Sequence, residues 1–280
     1  MHDEPLPAPP TAPPILQVAG LTKHYAGTRA VGDLSFEVRG GEVLGLVGRN
    51  GAGKTTTLRT IAGVLPIESG RVSVAGHDLA TRRGERAAKS QLAWVPDDPQ
   101  PFEAMTVDEH LEFTAALYRA ADWRGRADEL LERFELTPKR EALGGELSRG
   151  MRQKLAFCCA LLPRPQLVLL DEPLSGLDPL GIRSAKRAIA EIAAEGRAVV
   201  LSSHLLDLVE ELSSRLLILE QGRGAFLGTL AEARQAARGD ALEDVFFSIA
   251  EGRLPGEPPA QEVEPENGVT APTPPEVEEA

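Results

Sequence analysis

The chain has 280 residues, enough for one large domain or two lobes sharing a core, and it carries a formal net charge of −12. That acidic balance excludes a duplex-binding surface spread over the whole protein, because neutralising phosphates requires clustered Lys and Arg. Part of the charge is local: the last 30 residues hold eight Glu against one Arg, a net of −7 that leaves about −5 for the rest.

Residues 1–14 are proline-rich, with Asp3 and Glu4 where a secretory leader would have basic residues. They read as disordered and not as a signal. Residues 15–18 and 34–38 read as short strands joined by turns. The apolar run 43–47 predicts a buried strand, a glycine-rich loop follows, and a first helix continues to about residue 65. Residues 71–74, with the turn at 75–78, predict a further strand.

Beyond Pro96 the chain turns helical. Thr106-Val107-Asp108-Glu109 is a capping-box pattern opening an amphipathic helix to about residue 119. A second helix is expected over 124–134, and a third begins after Ser148. This strandless stretch predicts an inserted helical lobe at about 97–160. Residues 167–170 and 198–201 are continuous apolar runs, as in buried parallel strands, and 216–227 reads as a closing hairpin. A weakly amphipathic segment ends near residue 250, and from 251 the Pro- and Glu-rich tail reads as disordered.

Cys158 and Cys159 are neighbours on a predicted helix. Adjacent helical residues do not face one another, so they read as reduced core thiols of a cytoplasmic protein. No apolar run approaches the roughly 18–20 residues that cross a bilayer, so any membrane role needs a separate partner.

The chemistry begins at Gly48-Arg49-Asn50-Gly51-Ala52-Gly53-Lys54-Thr55-Thr56, a complete G-x-x-x-x-G-K-[ST] loop set between strand and helix. Glycines permit the close backbone approach, amide N–H groups converge on phosphate oxygens, and the helix N-terminus adds positive potential. Lys54 would reach the β- and γ-phosphates of a nucleoside triphosphate, and the Thr55 hydroxyl would bind Mg²⁺. Asp171 and Glu172 end an apolar strand, where ligands of α/β sheets gather. Asp171 suits a metal and Glu172 an attacking water, although acidic strand ends are also common at plain solvent-facing sites. Leu147-Ser148-Arg149-Gly150-Met151 opens a helix and offers an anion site, although on its own the stretch reads better as a simple N-cap.

The order of these stretches, completed by Ser175-Gly176-Leu177-Asp178 and Ser202-Ser203-His204, resembles the ATP-binding cassette ATPase family over about residues 15–250. The resemblance implies an α/β P-loop NTPase core with a mainly parallel sheet, an N-terminal antiparallel β subdomain and an inserted α-helical subdomain. It implies that Tyr25 stacks on adenine and that Glu172 is the catalytic base. His204 would be the switch that meets the γ-phosphate, and Asp178 would lie on the loop crossing between subunits. Ser148 and Gly150 would meet ATP held by the opposite subunit. Two stretches depart from the family pattern: Arg149 and Met151 stand within the usual L-S-G-G-Q, and Asp97 stands where Gln is common after the proline. Asp97 is read as an oxygen ligand of Mg²⁺.

Carried to function, the resemblance implies an ATPase closing as a dimer, with a second identical subunit as the expected partner. It would energise a separate multi-spanning permease from the inner face of the membrane, and no nucleic acid is expected. Residues 242–246 resemble the C-terminal end of exporter cassettes. The competing expectation is a soluble cassette acting on ribosomes or DNA, whose usual second cassette or coiled-coil insertion is absent from this sequence.

Overall fold

The computed structural model describes residues 13–25 and 27–237. Strands β1 (Leu16–Tyr25) and β2 (Thr28–Val38) form an antiparallel hairpin, and β4 (Ser69–Val74) and β5 (His77–Asp78) extend it into a sheet ordered β2-β1-β4-β5. A second sheet runs β10-β9-β3-β8-β7-β6. Its members are β3 (Val43–Gly48), β6 (Leu92–Val95), β7 (Leu167–Asp171), β8 (Ala198–Ser202), β9 (Arg215–Glu220) and β10 (Arg223–Thr229). Five of these strands are parallel and β10 returns antiparallel to β9, which is the expected closing hairpin.

Every residue of β3, β7 and β8 is buried, because both faces of this sheet are covered. Strand alternation divides them between two cores. Val168, Leu170, Val199 and Leu201 face one cluster, while Leu167, Leu169, Ala198 and Val200 face the other. The first cluster takes in α3 (Val107–Tyr118), α4 (Trp123–Arg133), α5 (Arg149–Leu161) and α6 (Pro179–Ala194); the second takes in α1 (Lys54–Ile61), α2 (Arg82–Lys89) and the antiparallel sheet. Helices α7 (Leu206–Leu212) and α8 (Leu230–Ala237) cover a smaller third cluster beside β9.

Local chemistry sets the helix ends. At α3 the capping box forms as expected: Thr106 Oγ1 accepts from the Glu109 amide at 3.2 Å, and Glu109 Oε2 accepts from the Thr106 amide at 2.7 Å. Helix α1 ends at Ile61 instead of running to about residue 65. Gly63 adopts φ +67°, a left-handed stop that favours glycine. Helix α2 is not foreseen by hydrophobic periodicity, since Ala88 is its one buried residue. It is held instead by the Thr81 cap on the Gly84 amide and by the Lys89–Glu85 pair.

Phe134 and Phe157 stack with centroids 5.3 Å apart, joining the end of α4 to α5. Both thiols of α5 are free, and burial pushes them up, Cys159 to about 11. The terminal stretches read as disordered lie almost wholly outside the described residues, as do residues 242–246.

Candidate active site

The loop after β3 is shaped by contacts that exclude side chains. A Cβ on Gly53 would come within 2.4 Å of the Ala30 carbonyl oxygen, and its φ of +103° is open to glycine alone. A Cβ on Gly48 would meet the Leu219 carbonyl at 2.6 Å. The loop is therefore wedged between β2 and β9, with the N-terminus of α1 behind it. Tyr25 ends β1 at the tip of the hairpin whose second strand lays Ala30 over Gly53, and its ring is exposed. Arg49, Asn50, Gly51 and Ala52 complete the loop, and Thr56 lies in the first turn of α1.

Lys54 is buried in this site, 8% exposed. Its Nζ donates to the carbonyls of Gly48 at 2.6 Å and Arg49 at 3.4 Å. Burial lowers its pKa below the usual lysine value, and the charges of Glu172 and Asp171 recover only part of the loss. Thr55 Oγ1 donates to Asp171 Oδ1 at 3.3 Å, so the helix and the end of β7 meet at two oxygens. Burial raises the Asp171 carboxyl above the ordinary range, the Thr55 hydrogen bond opposes this, and the negative charges of Glu172 and Asp97 add to it.

Glu172 leaves the strand with φ +46°, a left-handed conformation that is uncommon for a non-glycine residue. Its backbone amide still bonds the Ser202 carbonyl at 2.9 Å. Its Oε2 meets His204 Nδ1 at 2.8 Å and accepts from Ser203 Oγ at 3.3 Å. An open cleft runs from Gly48, Arg49 and Asn50 to His204 and Leu206, placing the loop and the histidine around one space.

A second group forms around the start of α5. Ser148 caps the helix, its Oγ accepting from the Met151 amide at 3.3 Å. A Cβ on Gly150 would strike the Gly176 carbonyl at 2.5 Å, so glycine lets the two loops touch. Asp178 caps α6 by accepting from the Gly181 amide at 2.7 Å, and its other oxygen lies 3.2 Å from Lys154 Nζ. Asp97, read from the sequence as a metal ligand, faces Arg149 at 3.7 Å.

The structure thus brings together Lys54, Thr55, Asp171, Glu172 and His204. It gathers Ser148, Gly150 and Asp178 elsewhere; among the described residues no hydrogen bond or ion pair joins Ser148 to the phosphate loop. Sequence reading missed Ser203 and Gln153. Ser203 is adjacent to His204, and the strand-end position shared by the two was the available signal. Gln153 is buried, with Nε2 donating to the Pro173 carbonyl at 3.2 Å; a polar residue amid an apolar helix face was its signal.

Comparison with known proteins adds an independent line. The family described as "ABC transporter" matches residues 31–175, a span that stops before Asp178 and His204. The chain is 32% identical over 239 residues to the ABC-type transporter ATP-binding protein EcsA of Bacillus subtilis, covering 84% of this chain and 96% of that one. It is 31% identical to the lipopolysaccharide export system ATP-binding protein LptB of Escherichia coli, covering 79% of this chain and 92% of that one. A solved structure titled as the ATP binding subunit of an ABC transporter superposes with TM-score 0.80 at 33% identity, over 84% of this chain and 99% of that one.

Proposed function

Since this chain belongs to the ABC transporter ATP-binding family, we propose that two copies close head to tail around two ATP molecules and thereby drive a separate multi-spanning permease. The chain is the ATP-binding and ATP-hydrolysing subunit of such a transporter. One observation carries the dimer: Lys54, Thr55 and Glu172 share a site, whereas Ser148 caps its own helix and, among the described residues, makes no hydrogen bond to that site. A second copy supplies to each triphosphate what the first lacks. Glu172 and Ser148 then act on different nucleotides.

In this reading the amides of residues 48–56 and the N-terminus of α1 hold the phosphates, and Tyr25 covers the adenine. Lys54, released from its backbone carbonyls, neutralises the β- and γ-oxygens. Glu172 Oε2 accepts the proton of the attacking water as the new P–O bond forms and the bond to ADP breaks. His204, steadied by Glu172 through Nδ1, is left with Nε2 for the γ-phosphate. Asp178 sits on the segment that crosses to the partner.

The donors at Thr55 and Asp171 are hard oxygens, and the buried Asp171 carboxyl is short of positive charge, so the pair fits Mg²⁺; Asp97, the further oxygen ligand expected from the sequence, faces Arg149 at 3.7 Å and is left out of this set. Bound there, Mg²⁺ would neutralise charge on the phosphates. No described helix is long and apolar enough to cross a membrane. Attachment at the inner membrane face would come through the permease, a reading supported by the export-system relative.

The test is Glu172→Gln. With saturating ATP and Mg²⁺ this variant is expected to elute as a stable dimer in size exclusion with light scattering, with turnover reduced about 10²–10⁴-fold. A monomer under those conditions overturns the closure mechanism.

A further inference from the structure

Two departures from the family pattern, Asp97 and Arg149, meet in the fold. Arg149 Nη2 lies 3.7 Å from Asp97 Oδ1 and donates to Ser175 Oγ at 2.8 Å. The arginine stem runs past Gly176, where a Cβ would stand 3.3 Å from its methylene carbons. One turn along α5, Gln153 repeats the arrangement. Its Nε2 donates to the Pro173 carbonyl at 3.2 Å and reaches the Pro96 carbonyl at 3.5 Å. Residues 149 and 153 share one helix face, being four apart. That face is therefore fastened twice to the same two loops: the turn after β6, through Pro96 and Asp97, and the loop leaving Glu172, through Pro173 and Ser175.

We propose that Arg149 is a positioning residue, strapping the Asp97 turn and the loop that leaves Glu172 to the helix that begins at Ser148. The inference rests on the ATPase reading above and deepens it. Glu172 serves the nucleotide on its own chain and Ser148 the one on the partner, so the strap makes these two contacts move as a unit. Complementary charges explain the joint departure: an arginine in place of a small residue needs an acceptor, and the aspartate at 97 supplies one. Arg149 and Asp97 are about half exposed, so their attraction is screened by salt. Gln153, buried on the same face, holds independently of salt.

The test uses the full chain as Asp97→Asn, Arg149→Gln, the double variant and Arg149→Lys. ATP turnover is followed against ATP, Mg²⁺ and salt. Each single removal is expected to lower kcat about two- to fivefold, the range of an exposed pair, with KM and the Mg²⁺ requirement little changed. The double variant should be no worse than either single one, Arg149→Lys should recover most of the loss, and high salt should narrow the gap to wild type. Additive losses, or a raised Mg²⁺ requirement in Asp97→Asn alone, overturn the strap; the latter makes Asp97 a metal ligand. A double-mutant cycle on thermal unfolding reads the same coupling without ATP, and additivity there overturns it too. A wild-type protein that does not hydrolyse ATP, with the cycle still coupled, would instead defeat the ATPase reading.

Discussion

Asp171 and Asp178 lie on either side of one short loop and live in opposite surroundings. Asp171 is buried at the end of β7, with a hydroxyl as its hydrogen-bonding neighbour, and burial pushes its pKa up. Asp178 is exposed at the start of α6, and the Gly181 amide, then Lys154, hold its pKa down. The phosphate-loop region keeps charges that the fold compensates only in part. The Ser148–Asp178 region satisfies its own: both residues cap helices, and Lys154 has two carboxylates. A site awaiting a highly charged ligand carries its electrostatic deficit unliganded. A surface that only docks against that ligand can be complete beforehand.

The sharpest way to break this contrast is at Lys54. Lys54→Ala is expected to reduce ATP turnover about a hundredfold or more, the scale of losing a preorganised cationic contact to the developing charge. Ligand-free thermal stability should hold or rise, because burial of this ammonium outweighs its attraction to nearby carboxylates. Turnover and melting measured on one preparation decide it. A variant that melts early would place Lys54 among the structural residues.

A smaller effect distinguishes the aspartates by pH. A carboxyl raised in the folded state penalises folding above the raised value, and the penalty fades as pH falls through it towards the ordinary aspartate range of the unfolded chain. Asp171→Asn should therefore be more stable than wild type at neutral pH without nucleotide, with the difference closing in acid. Melting curves between pH 7 and pH 4 check this, and a constant difference would deny the burial account.

The smallest effect is at Asp178, whose lowered pKa gives stability above 3.8 that is lost as pH falls through the depressed value. Asp178→Ala removes an N-cap and should cost about 1 kcal/mol, or about 2–4 °C in the melting temperature of a chain this size. Its basal unfolding curve tests that, and no change would mean the cap is redundant.

Much of this was legible beforehand because its causes are local. The phosphate loop needs glycines at fixed spacing, the box at Thr106 and Glu109 closes within one turn, and the runs at 167–170 and 198–201 admit no polar residue because both faces are covered. Helix α2 escaped because its support is a cap and an ion pair instead of a buried stripe. The roles of Ser203 and Gln153 escaped because each acts on a residue distant in sequence: Glu172 for one, Pro173 and Pro96 for the other. Asp97 and Arg149 were visible separately as departures, with nothing in the sequence to say they were neighbours.

By itself the sequence determined which residue types stand at the glycine loop, which carboxylates stand at a strand end, and where α3 and α5 start. Such signals depend on neighbours within a turn or two, where spacing fixes geometry. Only the tertiary structure decided which of these groups share a space. It set Thr55 against Asp171, His204 against Glu172 and Arg149 against Asp97, while Ser148 bonds only within its own helix start among the described residues. Parallel strands far apart in sequence bring such residues side by side, and burial at that junction, which no local pattern encodes, lowers the pKa of Lys54 and raises that of Asp171.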